Sequence, residues 1–367
     1  MEENRDRSAL VAMSGGVDSS VAAYLMLNEG FRCLGVSMRL HRDAEPGPER
    51  SGARRDIEDA AKAAEQLGIP FESLDCAGAF QEQVVDEFIR VYEAGGTPNP
   101  CVNCNRFLKF DRLLRYAESR GCRDVATGHY ARIEYDGASG RWLLKKALDA
   151  GKDQSYFLYA LTQRQLAHVR FPLGGMEKRQ VRALAERLGL ANAGKRDSQD
   201  ICFVPDGDYA AFIERSTGKT CPAGDFLDLE GRVVGRHKGA VRYTLGQRKG
   251  LGLAMGEPVY VCGKDMAANT VTVGPESALY AREVLVEDLN WIAVEDLTAP
   301  LRVAAKTRSR QREQPARVSP ESQGRVRIVF DQPQRAVTPG QAAVFYDGDT
   351  VVGGGTIAEA LTETEMW

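Results

Sequence analysis

Apolar and polar positions along the first 135 residues follow two alternating periods. Short, nearly continuous apolar runs at 9–13, 32–38 and 71–74 read as buried strands, since a strand covered on both faces has no polar side to show. Between them, 19–28 and 54–67 carry apolar residues at helical spacing and close on Gly30 and Gly68, the residue type suited to the left-handed turn that ends a helix. DVATGHYARI, at 124–133, reads as one further strand, and helices flank a loop at 95–104. This alternation predicts an α/β fold, an open and mostly parallel sheet with helices on both faces and ligands at the carboxyl ends of its strands.

Helices are also expected at 162–169 and 178–188, the second with Val181, Leu184, Ala185 and Leu188 on one face. After about Asp206 the pattern shortens to runs such as AVRYTLG, PVYVCG, TVTVG, RVRIVF and AAVFYDG between Gly and Pro turns, which predicts small sheets or barrels. The expected division is a nucleotide-binding catalytic domain at 1–205, a small central β-rich domain at 206–280 and a C-terminal β-barrel-like domain at 281–367. Residues 41–53, HRDAEPGPERSGA, read as a polar, exposed loop.

Composition narrows the class. No apolar run approaches the roughly 20 residues that cross a bilayer, and MEENRDRSAL holds no apolar export core, so a cytoplasmic protein with no membrane partner is expected. Eight cysteines in 367 residues are too few for a disulfide scaffold. In a reducing compartment, paired cysteines lean toward catalysis or metal, whereas Cys33 and Cys262, inside apolar strands, suit packing.

The stretch MSGGVDSS, 13–20, joins the first strand to the first helix. Unpaired amides at a helix start attract phosphate, and glycines let it approach the backbone, a role that fits Ser14, Gly15, Gly16, Ser19 and Ser20. The lysine of a Walker loop and the G-x-G-x-x-G of a dinucleotide site are both absent, so this is another kind of phosphate loop. Further on, TPNPCVNCN brings Cys101 and Cys104 to the start of a helix expected near Asn105, whose dipole favours the Cys104 thiolate. Cys202 stands in KRDSQDICFVPDGDY, a polar stretch suited to a surface loop.

Net charge is −3, but basic residues cluster locally. From 232 to 249 there are six Lys or Arg and no acid; from 300 to 335 there are nine against three. Such patches suit the phosphates of a nucleic acid, and Tyr243 is a candidate for stacking on bases, although a solvated charged surface explains either patch alone.

SGGVDSSV resembles the pyrophosphatase-loop signature of enzymes that cleave ATP between its α and β phosphates. Together with TPNPCVNCN, KF, TGHYARI, KDQSYFL, FPLG, DSQDICF, HKGAVRYTLGQRKGLG, PVYV and GGGTI, in order over nearly the whole chain, it makes the sequence resemble the tRNA-specific 2-thiouridylases. The resemblance implies an ATP-dependent sulfurtransferase that replaces the C2 oxygen of the wobble uridine, position 34 of tRNA, with sulfur. It implies ATP contacts at Ala12, Met13, Ser14, Gly15, Gly16, Val17, Asp18, Ser19, Met38 and Gly128, with Asp18 positioning Mg²⁺. Cys104 matches the catalytic nucleophile and Cys202 the cysteine that receives a persulfide, a pair that passes through a disulfide during turnover. Asn99, Pro100 and Cys101 match the segment lining the target base, while His129, Lys152, Asp153, Gln154, Arg308, Ser309 and Gln341 match tRNA contacts. A sulfur donor such as a cysteine desulfurase or a sulfur-relay protein is implied, and a monomer is expected.

Many members of that family carry aspartate where this chain has Cys101. Three thiolates, Cys101, Cys104 and Cys202, could instead hold a [4Fe–4S] cluster with one iron left open for sulfide, so both sulfur chemistries stand at the level of sequence. Another adenylating enzyme with the same loop, or a tRNA-binding protein that keeps the loop as scaffold, is the competing reading.

Overall fold

The computed structural model describes residues 7–41, 48–195, 201–204 and 206–362. Strands β1 (Ser8–Ala12), β2 (Arg32–Arg39), β3 (Phe71–Asp75), β4 (Asp124–Ala126) and β7 (Val169–Arg170) form a parallel sheet in the order β3-β2-β1-β4-β7. Helix α1 (Val17–Asn28) follows β1, and α2 (Pro48–Gln66) follows β2. Ala9, Leu10 and Val11 have no exposed surface at all, as expected of a strand covered on both faces. The order reverses between β1 and β4, so the turns after these two strands open onto one crevice.

The expected single strand at 124–133 is two strands in different sheets. β4 ends at Ala126, and β5 (Arg132–Asp136) pairs with β6 (Arg141–Lys145) as a hairpin that joins the C-terminal sheet through β6 and β17 (Thr350–Thr362). The break falls at the turn through Gly128, where a Cβ would stand 2.8 Å from the Asp18 carbonyl carbon and the Ser19 nitrogen. The chain turns there because it must clear the first turn of α1. The loop expected at 41–53 is also shorter, since α2 begins at Pro48. Proline suits a first helical position, where its missing N–H costs nothing.

β8 (Gly224–Leu227), β9 (Val233–His237), β10 (Tyr260–Asp265) and β11 (Thr270–Gly274) form a four-stranded sheet around Phe226, Val261, Val271 and Val273. AVRYTLG, expected as a strand, is instead a 3₁₀ turn at Ala240–Arg242, entered through Gly239 at φ +109°. Tyr243 lies in this core, edge-on to Phe226 and His237, so its face is not offered to a base.

β12 (Tyr280–Trp291), β13 (Leu301–Lys306), β14 (Gln314–Pro320), β15 (Val326–Arg335), β16 (Ala342–Asp347) and β17 close into a barrel, because β12 pairs with both β15 and β17. Closure removes the sheet edges. A continuous core spans the barrel and the first domain: Val102, Phe110, Leu144, Tyr156 and Leu158 pack with Ala342, Val344, Tyr346 and Val351. No helix among the described residues is long and apolar enough to cross a membrane.

Candidate active site: a phosphate loop and three gathered thiols

The loop after β1 is held by its own side chains. Ser19 Oγ donates to the Gly16 carbonyl (3.0 Å) and accepts from the Ser14 amide (3.1 Å), while Ser20 Oγ donates to Gly16 (3.3 Å). From behind, Asn192 Nδ2 donates to the Gly15 carbonyl (3.1 Å) and to Ser20 Oγ (2.9 Å), and Lys195, tied to Asp56 and Asp59, reaches the same carbonyl. Gly15 sits at φ +73°, and a Cβ there would run into the Asp56 carbonyl. Only glycine fits on both counts.

Asp18 lies in the first turn of α1. Both of its oxygens accept from the buried Lys178 ammonium (2.8 and 2.7 Å), and Oδ1 also accepts from the Tyr130 hydroxyl (2.8 Å). In this arrangement Asp18 is already paired with a cation, with which a magnesium ion bound there would share the carboxylate. Lys178 and Tyr130 are the loop's missed partners: one opens the helix Lys178–Arg187, the other follows His129, and only the tertiary fold brings them to Asp18. Met38, at the carboxyl end of β2, packs both under the sheet with Leu10 and Val36 and against the cluster that includes Cys104, Phe107 and Ile201. It links the nucleotide side to the thiol side.

The cysteine helix does not start near Asn105. It begins with Pro100–Asn103, continues as a π-helix over Cys104–Arg112, and returns to α geometry over Leu113–Ser119. Cys101 is therefore in the first turn and Cys104 inside the helix, so the expected dipole effect falls away. Burial pushes the Cys104 thiol up instead. A π-turn bonds residue i to i+5, which stacks Lys109 over Cys104. Lys109 draws down the thiols of Cys101, Cys104 and Cys202 alike, and it is the cation that sequence reasoning missed; no local pattern announces a π-helix.

All eight cysteines are free thiols. Cys202 is pushed up to about 12, first by burial and then by Cys104 and Cys101. Residues 98 positions apart in sequence thus act on one another electrostatically. Cys101 and Cys202 keep exposed surface while protein desolvates them, which describes thiols reached by water from one side and enclosed on the others. Phe203 and Val204, by contrast, are core residues that pin this segment against Phe80 and Phe88. The part of the DSQDICF stretch at 197–200 lies outside the described residues. Among the described residues, no three His, Cys, Asp or Glu side chains converge to hold one metal ion.

The expected tRNA contacts divide by what their side chains already do. Asp153 accepts from the Ala147 and Ser155 amides and the Ser155 hydroxyl, and Gln154 Oε1 accepts from the Tyr130 amide. His129 is buried against Phe110 and Phe171 with Nδ1 2.7 Å from Thr127 Oγ1, and desolvation lowers its pKa well below the ordinary value. Arg308 is half-buried and spends its guanidinium on the Ala336 carbonyl and Thr338 Oγ1 (3.2 Å). Gln341 Nε2 donates to the Thr97 and Pro98 carbonyls. Asn99 is in reach of the Tyr156 hydroxyl, Pro100 is buried, and Lys152 and Ser309 lie at the surface or half-buried.

The basic stretches are less bare than their sequence. In the fold Asp225 and Asp228 form ion pairs with Arg236 and Arg232, Glu214 with Arg242, and Asp331 with Arg302. Lys238, Arg248, Lys249, Arg310 and Arg312 remain exposed, with no ion pair among the described residues.

Residues 7–206 match the model described as tRNA methyl transferase HUP domain, 210–275 the tRNA methyl transferase PRC-barrel domain, and 281–357 the aminomethyltransferase beta-barrel domain. A protein named tRNA-specific 2-thiouridylase MnmA from Acetivibrio thermocellus is 48% identical over 355 residues, covering 96% of this chain and 99% of that one. Its namesakes from Geotalea uraniireducens and Clostridioides difficile are 49% and 45% identical, over 98% and 97% of this chain and 97% and 99% of their own. Identity at this level over whole chains leaves one assignment: the chain belongs to the tRNA-specific 2-thiouridylase family.

Proposed function

We propose that this protein uses ATP to activate the C2 oxygen of the wobble uridine in tRNA and then replaces it with sulfur. The observation that carries the reading is that Cys104 packs in one cluster with Ile201 and Phe203, the neighbours of Cys202, so that two remote segments bring their thiols together beside Lys109. Methyl transfer, which the domain descriptions name, would have no use for a loop shaped to grip pyrophosphate.

The chemistry follows from two obstacles. A uracil carbonyl is a weak electrophile, and oxide is a poor leaving group. The C2 oxygen attacks the α-phosphorus of ATP at the loop of Ser14, Gly15, Gly16 and Ser19, pyrophosphate departs, and the oxygen becomes part of a phosphate ester that can leave as AMP. Lys178 is placed to exchange its Asp18 partner for the negative charge of the triphosphate. Mg²⁺, where bound, neutralises phosphate charge, and Asp18 is the side chain that would meet it.

Sulfur arrives as the outer atom of a Cys202 persulfide, made by a cysteine desulfurase or relay protein. A persulfide ionises more readily than the Cys202 thiol, whose pKa of about 12 keeps it protonated at neutral pH. The Cys104 thiolate attacks the inner sulfur, hydrosulfide departs toward C2, and the Cys104–Cys202 disulfide that forms takes two electrons from an external reductant to return both thiols. Lys109 faces the charge that develops on Cys104. The base has to leave the anticodon stack to reach this site.

The test is mass analysis of tRNA nucleosides after incubation with ATP, a persulfide-charged donor and enzyme, wild type against Cys202→Ser. 2-Thiouridine at the wobble position with wild type alone supports the reading; none with wild type sinks it. Full activity of iron-free protein is expected in the same assay, and activity that tracks bound iron would favour the cluster instead.

A further inference from the structure

The loop that carries Asn99 and the cysteines is gripped by one short segment of the C-terminal barrel. Pro339 accepts from the Thr97 amide (2.9 Å), and Gln341 Nε2 donates to the Thr97 carbonyl (3.0 Å) and the Pro98 carbonyl (3.1 Å). The next residue, Ala342, accepts from the Tyr156 hydroxyl (2.9 Å), which lies within reach of Asn99 on the far side of the same loop. The two chains approach too closely for ordinary side chains. A Cβ on Gly96 would stand 3.0 Å from the Pro339 carbonyl oxygen, and one on Gly340, at φ +85°, would stand 3.1 Å from the Thr97 carbonyl oxygen. Arg308 holds this segment from within the barrel through Ala336 and Thr338.

We propose that residues 339–342 of the barrel position the cysteine helix, with Gln341 as the positioning residue: its amide fixes the two carbonyls immediately before Asn99 and so sets where Cys101 and Cys104 stand. Both N–H groups of one side chain are committed to one loop, an arrangement that orients backbone and leaves neither donor for tRNA. The inference rests on the sulfur-transfer reading of the thiols. It deepens that reading by making the barrel part of the catalytic site as well as a surface for tRNA.

The test uses Gln341→Glu, which sets a carboxylate against two carbonyl oxygens, and Gln341→Leu, which removes the donor. Three quantities are measured: the rate of Cys104 alkylation by iodoacetamide without tRNA or ATP, the Kd for tRNA, and the single-turnover thiolation rate at saturating tRNA. Expected for both variants is a tRNA Kd within about twofold of wild type, a changed alkylation rate, and a thiolation rate lower by between about ten- and a hundredfold, the loss that a misplacement of about 1 Å brings. A weakened Kd with an unchanged saturated rate would make Gln341 a plain tRNA contact and overturn the proposal, as would unchanged values of all three or failure of both variants to fold. Alkylation is read without the reaction, so the latch remains testable if the thiolation assay itself fails in wild type.

Discussion

The phosphate loop and the thiol site solve the same problem, fixing reactive groups at the edge of one sheet, in opposite ways. The loop is eight consecutive residues whose hydroxyls bond back onto their own backbone, with Asn192 and Lys178 added from outside. The thiol site has no such internal frame. Cys101 and Cys104 are aimed by a helix whose entry loop is tied to a barrel residue more than 200 positions away, and Cys202 by aromatic packing of its neighbours. A contiguous site depends on local geometry; a gathered one depends on the docking of whole domains.

The largest effects should separate the two chemically. Cys202→Ser and Cys104→Ser are each expected to lower thiolation by at least about 10³-fold, as loss of a nucleophile in a coupled relay does. Both should leave tRNA-dependent ATP–pyrophosphate exchange near wild type, because the loop is built without them. Exchange lost along with thiolation would mean that the two regions are one unit. The reverse experiment is Lys178→Met, which leaves Asp18 without its cation. ATP affinity should fall by about 10- to 100-fold, the worth of a charge-assisted hydrogen bond or two, while the rate of Cys104 alkylation stays unchanged.

This difference also decides what is legible in the sequence. MSGGVDSS announces its strand, loop and helix because all three are adjacent, and the parallel sheet follows from alternating periods. Cys104 and Cys202 each stand out in their own stretch, but only the family resemblance pairs them, since nothing in NPCVNCN or DICF says that they meet. Lys109 stands in the motif KF with no role attached to it, because its effect on the three thiols depends on the fold. Tyr243 was misassigned because an aromatic in a basic stretch looks the same from sequence whether it faces solvent or core. The hairpin of β5 and β6 was hidden for a similar reason: β pattern marks a strand but not the sheet that receives it.

The pH dependence of thiol chemistry should sharpen the contrast further. Burial raises Cys202 to about 12 and raises Cys104 from its ordinary value, so both are protonated at pH 7. Alkylation of either thiol should then rise by about tenfold per pH unit through pH 9 without a plateau, since each unit below the pKa reduces the thiolate tenfold. The linkage has the same sign. Between the unfolded thiol value near 9 and the folded value, the unfolded chain releases the proton first, so the Cys202 contribution to stability is present below pH 9 and is lost as pH rises toward 12. A plateau in alkylation near pH 7 would mean that Lys109 outweighs burial at these sulfurs.

The smallest expected effect tests whether a basic residue in the barrel serves tRNA or the fold. Arg308 and Arg310 are two residues apart, but Arg308 is half-buried with its guanidinium bonded to Ala336 and Thr338, whereas Arg310 is exposed with no partner among the described residues. Removing an exposed phosphate contact reduces the salt slope of binding by about one and leaves stability alone. Arg310→Ala should therefore weaken tRNA binding uniformly across sequences, lower that slope, and keep both the Tm and the saturated thiolation rate. Arg308→Ala takes one hydrogen bond from the Ala336 carbonyl, which keeps the Thr338 hydroxyl, and one from Thr338 Oγ1, at a cost of about 1 kcal/mol each, and loosens the segment that carries Gln341. It should lower Tm and the saturated rate with little change in slope. If both variants lower the slope equally, Arg308 turns outward when tRNA binds, and the line between positioning and phosphate contact runs through one side chain.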